Sequence, residues 1–168
     1  MNRKGRSAEE AAQDYRVECI EFSEVRAACL SHLGPPENLG SSIQKFIAWR
    51  KANGLTPDVS RTFNLLYGNP EVTPPEDFRL DLCAQIQAPV QKNDCGVIEI
   101  CIPAGRCAVL RYVGADEFID MPIGYLYQNW LRVSGESLRD FPLFFERVHF
   151  YPNVPDYEMI TDIYLPLL

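Results

Sequence analysis

Displacing the sequence by 80 positions superimposes Val17, Ile20, Arg26, Ala28, Leu30 and Gly34 on Val97, Ile100, Arg106, Ala108, Leu110 and Gly114. Those are six identities over positions 17 to 34, where composition alone gives about one. A displacement of 81 then pairs Trp49 with Trp130, Gly54 with Gly135, Phe63 with Phe144 and Asp81 with Asp162. One inserted residue reconciles the two registers. The chain therefore reads as one unit written twice, over about 15–90 and 95–168, and any fold has to accommodate two similar halves.

The order inside each half follows from apolar periodicity. Tyr15 to Phe22 and Arg26 to Leu33 read as strands bent at Ser23-Glu24, and Gly34-Pro35-Pro36 stops the second. Leu39, Ile43, Phe46, Ile47 and Trp49 have helical spacing, with Asn53-Gly54 as a stop. Phe63 to Tyr67 and Phe78 to Ile86 complete the half as strands, the latter alternating Leu80, Leu82, Ala84 and Ile86 with Asp81, Cys83 and Gln85. In the second half the strands are Val97 to Ile102, Cys107 to Val113, Phe144 to Val148 and Ile160 to Leu167. Its helix is Asp116 to Val133, which Pro122 must start or kink. The expected class is α+β, with the two sheets joined as one antiparallel sheet about a pseudo-twofold axis and both helices on one face. The seam between the halves then offers a cleft, where ligand sites are favoured. Met1 to Asp14 reads as a polar tail or short helix without the apolar stretch of a signal peptide.

Charge and cysteine usage exclude several classes. Sixteen basic residues against 23 acidic ones leave a net charge of −7, which repels a phosphate backbone, so no direct nucleic-acid binding is expected. No apolar run approaches the roughly 20 residues that span a bilayer, so no membrane partner is expected. Cys19, Cys29, Cys83, Cys95, Cys101 and Cys107 form no C-x-x-C pair and read as reduced thiols of a cytoplasmic protein. His32 and His149 stand alone, so neither a metal nor another cofactor is expected. Nucleophile-elbow, P-loop, dinucleotide and H-E-x-x-H motifs are absent from the sequence.

The two halves differ where a site is expected. Phe144, Glu146 and Val148 project to one side of their strand, and Phe145 and Arg147 to the other. The counterparts of Phe144 and Glu146 are Phe63 and Leu65, so an acid stands in one half where the other has a leucine. A carboxylate on an apolar face needs a cation, a hydrogen-bond network or a proton. Two readings stay open: Glu146 is solvated or paired with Arg111 or Arg132, or it accepts a cationic ligand. For the second, Trp130, Tyr164, Tyr67, Tyr127 and Phe144 offer ring faces suited to a cation or a flat heteroaromatic.

At these residues the sequence resembles the GyrI-like small-molecule-binding family, which includes the stand-alone DNA gyrase inhibitory protein and effector-binding domains of AraC-type and MerR-type regulators. The matching stretches are Tyr67-Gly-Asn-Pro-Glu-Val-Thr-Pro-Pro-Glu-Asp-Phe-Arg-Leu-Asp81, Pro103-Ala-Gly-Arg-Cys-Ala108, Phe145-Glu-Arg-Val-His149 and Thr161-Asp-Ile-Tyr-Leu-Pro166. The resemblance implies a single domain over 15–168 of duplicated, SHS2-like β-α-β-β units with a ligand groove between them. It also implies that the acid neutralising cationic lipophilic ligands falls on Glu146, and the aromatic lining on Trp130 and Tyr164. Arg147-Val148-His149 departs from the family's pattern of a tyrosine just after the glutamate. The expected function is binding of cationic or amphipathic aromatic compounds, with DNA gyrase as a partner implied by resemblance alone. The alternatives are an effector domain of an AraC-type activator, or a hydrolase of cyclopropanoid genotoxins in which Glu146 is the catalytic base.

Overall fold

The computed structural model describes residues 15–68 and 72–168; the expected tail at 1–14 lies outside the described residues. The strands are β1 (Val17–Phe22), β2 (Val25–Leu33), β3 (Thr62–Tyr67), β4 (Arg79–Gln85), β5 (Ile98–Ile102), β6 (Gly105–Val113), β7 (Leu143–His149) and β8 (Ile160–Pro166). Helix α1 is Leu39–Ala52. The second helical stretch runs from α2 (Asp120–Tyr125) through a π turn (Leu126–Trp130) into α3 (Leu131–Ser134). The helix expected over Asp116 to Val133, with a start or kink at Pro122, does begin beside that proline, and the π turn divides it further. Asp116–Phe118 is a separate 3-10 turn, and α2 begins late enough to keep Pro122 in its first turn, where the missing N–H has no helical acceptor to lose.

All eight strands form one antiparallel sheet in the order β1-β6-β8-β7-β3-β4-β2-β5. The order is unchanged when β1–β4 are exchanged for β5–β8 and the list is reversed. Strands of 15–90 pair with strands of 95–168 at the outer β1–β6 and β2–β5 ladders and at the central β3–β7 seam, where Phe63 faces Glu146 and Leu65 faces Phe144. Asp81 and Asp162, paired by the displacement of 81, stand one strand outside that seam, in β4 and β8.

Topology forces the sheet to curl. β1 lies at one edge and β2 next to the other, yet only Ser23 and Glu24 join them. In a flat sheet those strands would be six spacings apart, about 29 Å, far beyond the reach of so short a link. Phe22 accordingly arrives beside Tyr164 and Phe144, with ring centroids 5.2 and 5.0 Å away. The crossover from β5 to β6 at Pro103-Ala104 repeats the arrangement.

Strand alternation then divides the interior in two. On the helix side, Ala28, Leu30, Leu82, Ala84, Leu110, Phe145, Ile163 and Leu165 pack beneath Phe46 and Trp49 of α1 and Leu126 of the π turn. The other face carries Phe22, Val25, Ile102 and Cys107 from the crossovers against Phe63, Leu65, Phe144 and Tyr164. Arg50 fixes the end of α1. Its guanidinium, 5% exposed as a residue, donates to the Leu55 carbonyl (2.6 Å), Thr62 Oγ1 (2.8 Å) and the Ser60 carbonyl (3.0 Å). No helix among the described residues is long and apolar enough to cross a membrane.

Candidate functional site

The helix-side face is not filled everywhere. A cleft of about 790 Å³ opens over the seam, floored by Leu66 of β3 and Leu143, Phe145 and Arg147 of β7. Its long wall is the second helical stretch, where Ile119, Ile123 and Tyr127 recur at four-residue spacing. Only Leu39 comes from α1. Two features widen that wall. At Gly124 an added Cβ would meet nothing within 4 Å, so the helix presents bare backbone to the cavity. The π turn begins two residues later and carries Tyr127 and Gln128, as such turns often do at binding sites.

Three charged groups line the cleft: Asp116, Asp120 and Arg147. They differ in depth. The Arg147 side chain is 15% exposed and that of Asp116 is 52% exposed. Arg147 lies along the floor, its Nε donating to Asn64 Oδ1 (2.8 Å) and its Nη1 to Thr161 Oγ1 (3.2 Å) and Asp116 Oδ1 (2.6 Å). The guanidinium also stands 5.1 Å from the centroid of the Phe145 ring.

Glu146 points the other way. It shares its face with Phe144, opposite the side where Phe145 and Arg147 meet the cavity. Its carboxylate is held by neither Arg111 nor Arg132, the partners considered from sequence. Arg61 grips both oxygens, Nε to Oε1 and Nη2 to Oε2, each at 2.7 Å. Arg111 instead binds Asp162, at 2.8 and 2.9 Å. Asp162 lies directly across the ladder from Glu146, so each of two facing acids has its own guanidinium.

The candidate residues therefore fall into two groups separated by the sheet. Glu146, Phe144 and Tyr164 come together on the helix-free face, the last two rings stacked at 4.9 Å and 9°. Burial, with the charges of Glu146 and Asp162 adding to it, pushes the Tyr164 hydroxyl up to about 12. Tyr67 packs against the same face, under the Arg79 guanidinium at 3.9 Å. Tyr127 lines the cleft, and Trp130 packs on the helix-side core. Sequence reasoning missed Phe145, Gly124, Asp116 and Arg147 as cleft residues. The alternation that set Arg147 apart from Glu146 was visible, but which side would hold the cavity was not.

The fold and its relatives agree. In the curated probable transcriptional regulator YgiV of Escherichia coli K12, 37% of residues are identical over 152 aligned positions, covering 90% of this chain and 95% of that one. The EcmrR C-terminal domain superimposes with a TM-score of 0.69 at 21% identity, covering 92% of this chain and 98% of that one. EcmrR in its DNA complex gives 0.77 at 18% identity, with 95% of this chain covered but only 59% of that one. SAV2435 bound to tetraphenylphosphonium gives 0.58 at 10% identity, over 92% and 94% of the two chains. At these identities the structural likenesses speak for the fold alone. The model of the GyrI-like small molecule binding domain matches residues 15–168, and the chain belongs to that family.

Proposed function

We propose that this chain is a ligand-sensing module of transcription control that takes an amphipathic aromatic molecule into the helix-side cleft. The observation that carries this reading is an apolar cavity of about 790 Å³, of the size that holds drug-like ligands, at the seam of a small-molecule-binding fold. Leu66, Leu143 and Phe145 supply apolar area, and the bare backbone at Gly124 admits a flat ring. The likeness to YgiV and to the EcmrR C-terminal domain supports a regulatory setting. The scaffold is, on this reading, an internal duplicate; the exchange-symmetric strand order and the paired positions of Phe63 and Phe144 support it. Its charge of −7 disfavours direct contact between this domain and DNA and suits a cytoplasmic protein.

A second arrangement has its own support. Glu146 stands beside the stacked Phe144 and Tyr164, and a cationic aromatic ligand displacing Arg61 would find both a charge and ring faces there. A thermal-shift screen with aromatic probes separates the faces. A probe at 100 times its Kd stabilises the native state by about 2.7 kcal/mol. The cleft reading expects Gly124→Leu to abolish the shift and Glu146→Gln to leave it intact. The reverse pattern moves the ligand to the Glu146 face, and no shift with any probe on the wild-type protein rejects both.

A further inference from the structure

The charge that lies deepest in the cleft is a cation. Arg147 is 15% exposed, whereas both carboxylates sit at the exposed rim. Exposed carboxylates are screened by water and salt, while a charge held against an apolar floor keeps more of its field. The guanidinium is also incompletely used. Nε and Nη1 carry all three of its hydrogen bonds to described side chains, and Nη2 has no acceptor among the described residues. Nη2 is not sealed in the interior either: the single buried side-chain polar atom without a partner, among the described residues, is Arg139 Nε. A two-hydrogen donor with no acceptor among the described residues therefore stands on a residue that lines the floor of an apolar cavity. Its position is over-determined, because bonds to Asn64 and Thr161 and the neighbouring Phe145 ring fix the guanidinium before any ligand arrives.

We propose that the cleft selects ligands bearing a carboxylate or similar anionic acceptor on an aromatic body, bound at Arg147 Nη2. This rests on the cleft reading above and adds the ligand's charge to it. Pre-oriented guanidinium donors recognise carboxylates strongly and bidentately. Asp116 is then an internal competitor: it already occupies Nη1, and a ligand carboxylate that bridges Nη1 and Nη2 has to displace it toward solvent. An ammonium group at the same depth faces the guanidinium and is repelled. The same aromatic body would thus bind in the order carboxylate, neutral amide, ammonium.

The test uses naphthoate, naphthamide and naphthylmethylammonium with the full chain, read by calorimetry and thermal shift. Wild type is expected to bind naphthoate about tenfold or more tighter than naphthylmethylammonium. Arg147→Gln should erase that preference while naphthamide affinity changes less than threefold. Asp116→Asn keeps the donor, removes its competitor, and should raise naphthoate affinity several-fold. It also covers the case in which Arg147→Gln fails to fold. Naphthylmethylammonium binding best to wild type, or a naphthoate preference that survives Arg147→Gln, overturns the proposal. So does unchanged or weaker naphthoate binding by Asp116→Asn. Binding of all three probes to Gly124→Leu at wild-type affinity instead removes the cleft reading beneath it.

Discussion

Gly124 lets stability and binding be driven in opposite directions by one side chain. It lies inside α2 without a left-handed backbone, and a Cβ placed there meets nothing within 4 Å. Glycine in a helix interior costs about 0.5–1 kcal/mol relative to alanine, through the backbone entropy it adds to the unfolded chain. Gly124→Ala should therefore stabilise the protein by about that amount. For a chain of this size the midpoint of thermal unfolding should rise by about 1–4 °C. The open space at Gly124 is the ligand cavity itself, so Gly124→Leu keeps most of the helical gain but sets an isobutyl group where an aromatic body would lie. Affinity for naphthamide should fall at least about tenfold, equivalent to 1.4 kcal/mol. Gly40→Ala in α1, also with open space around its Cβ and away from the cleft lining, is the control: a similar or smaller gain in stability and unchanged binding. Differential scanning calorimetry and titration calorimetry on the four proteins read both quantities. A lower midpoint for Gly124→Ala would refute the open space, and wild-type naphthamide affinity in Gly124→Leu would refute its use.

Arg50→Ala should cost about 3 kcal/mol in urea unfolding, since it leaves the buried Ser60 carbonyl, the Leu55 carbonyl and Thr62 Oγ1 without their donor. A loss under 1 kcal/mol would show that water replaces the guanidinium. Leu126→Ala empties a fully buried position between the π turn and the sheet and should cost about 2–5 kcal/mol by the same assay. The Tyr164 hydroxyl, pushed up to about 12 from an ordinary value near 10, keeps its proton in the folded protein after the unfolded chain has lost its own. Its contribution to stability is therefore complete below pH 10 and falls as pH rises from 10 to 12. The unfolding free energy of wild type should therefore fall relative to that of Tyr164→Phe across that range; parallel curves would contradict it.

Much of the fold was legible in the sequence because it rests on local periodicity. Period-two runs located every strand to within a residue or two, and helical spacing located α1. The same alternation already set Phe144 and Glu146 apart from Phe145 and Arg147. The π turn was not legible, since an extra residue per helical turn leaves no mark in a short apolar pattern. Nor was the Arg61–Glu146 pair, which joins residues 85 positions apart.

The sequence by itself determined which side chains share a face, because a strand assigns its faces residue by residue. Only the tertiary structure decided which face would be open. That depended on where the two helical segments settle across the seam, and on crossovers at Phe22 and Ile102 that fill the opposite face with aromatic and aliphatic side chains. The cavity consequently belongs to Arg147 rather than to its neighbour Glu146. The physical reason is that alternation is set within a few bonds, whereas a cavity is what remains after segments distant in the chain have packed.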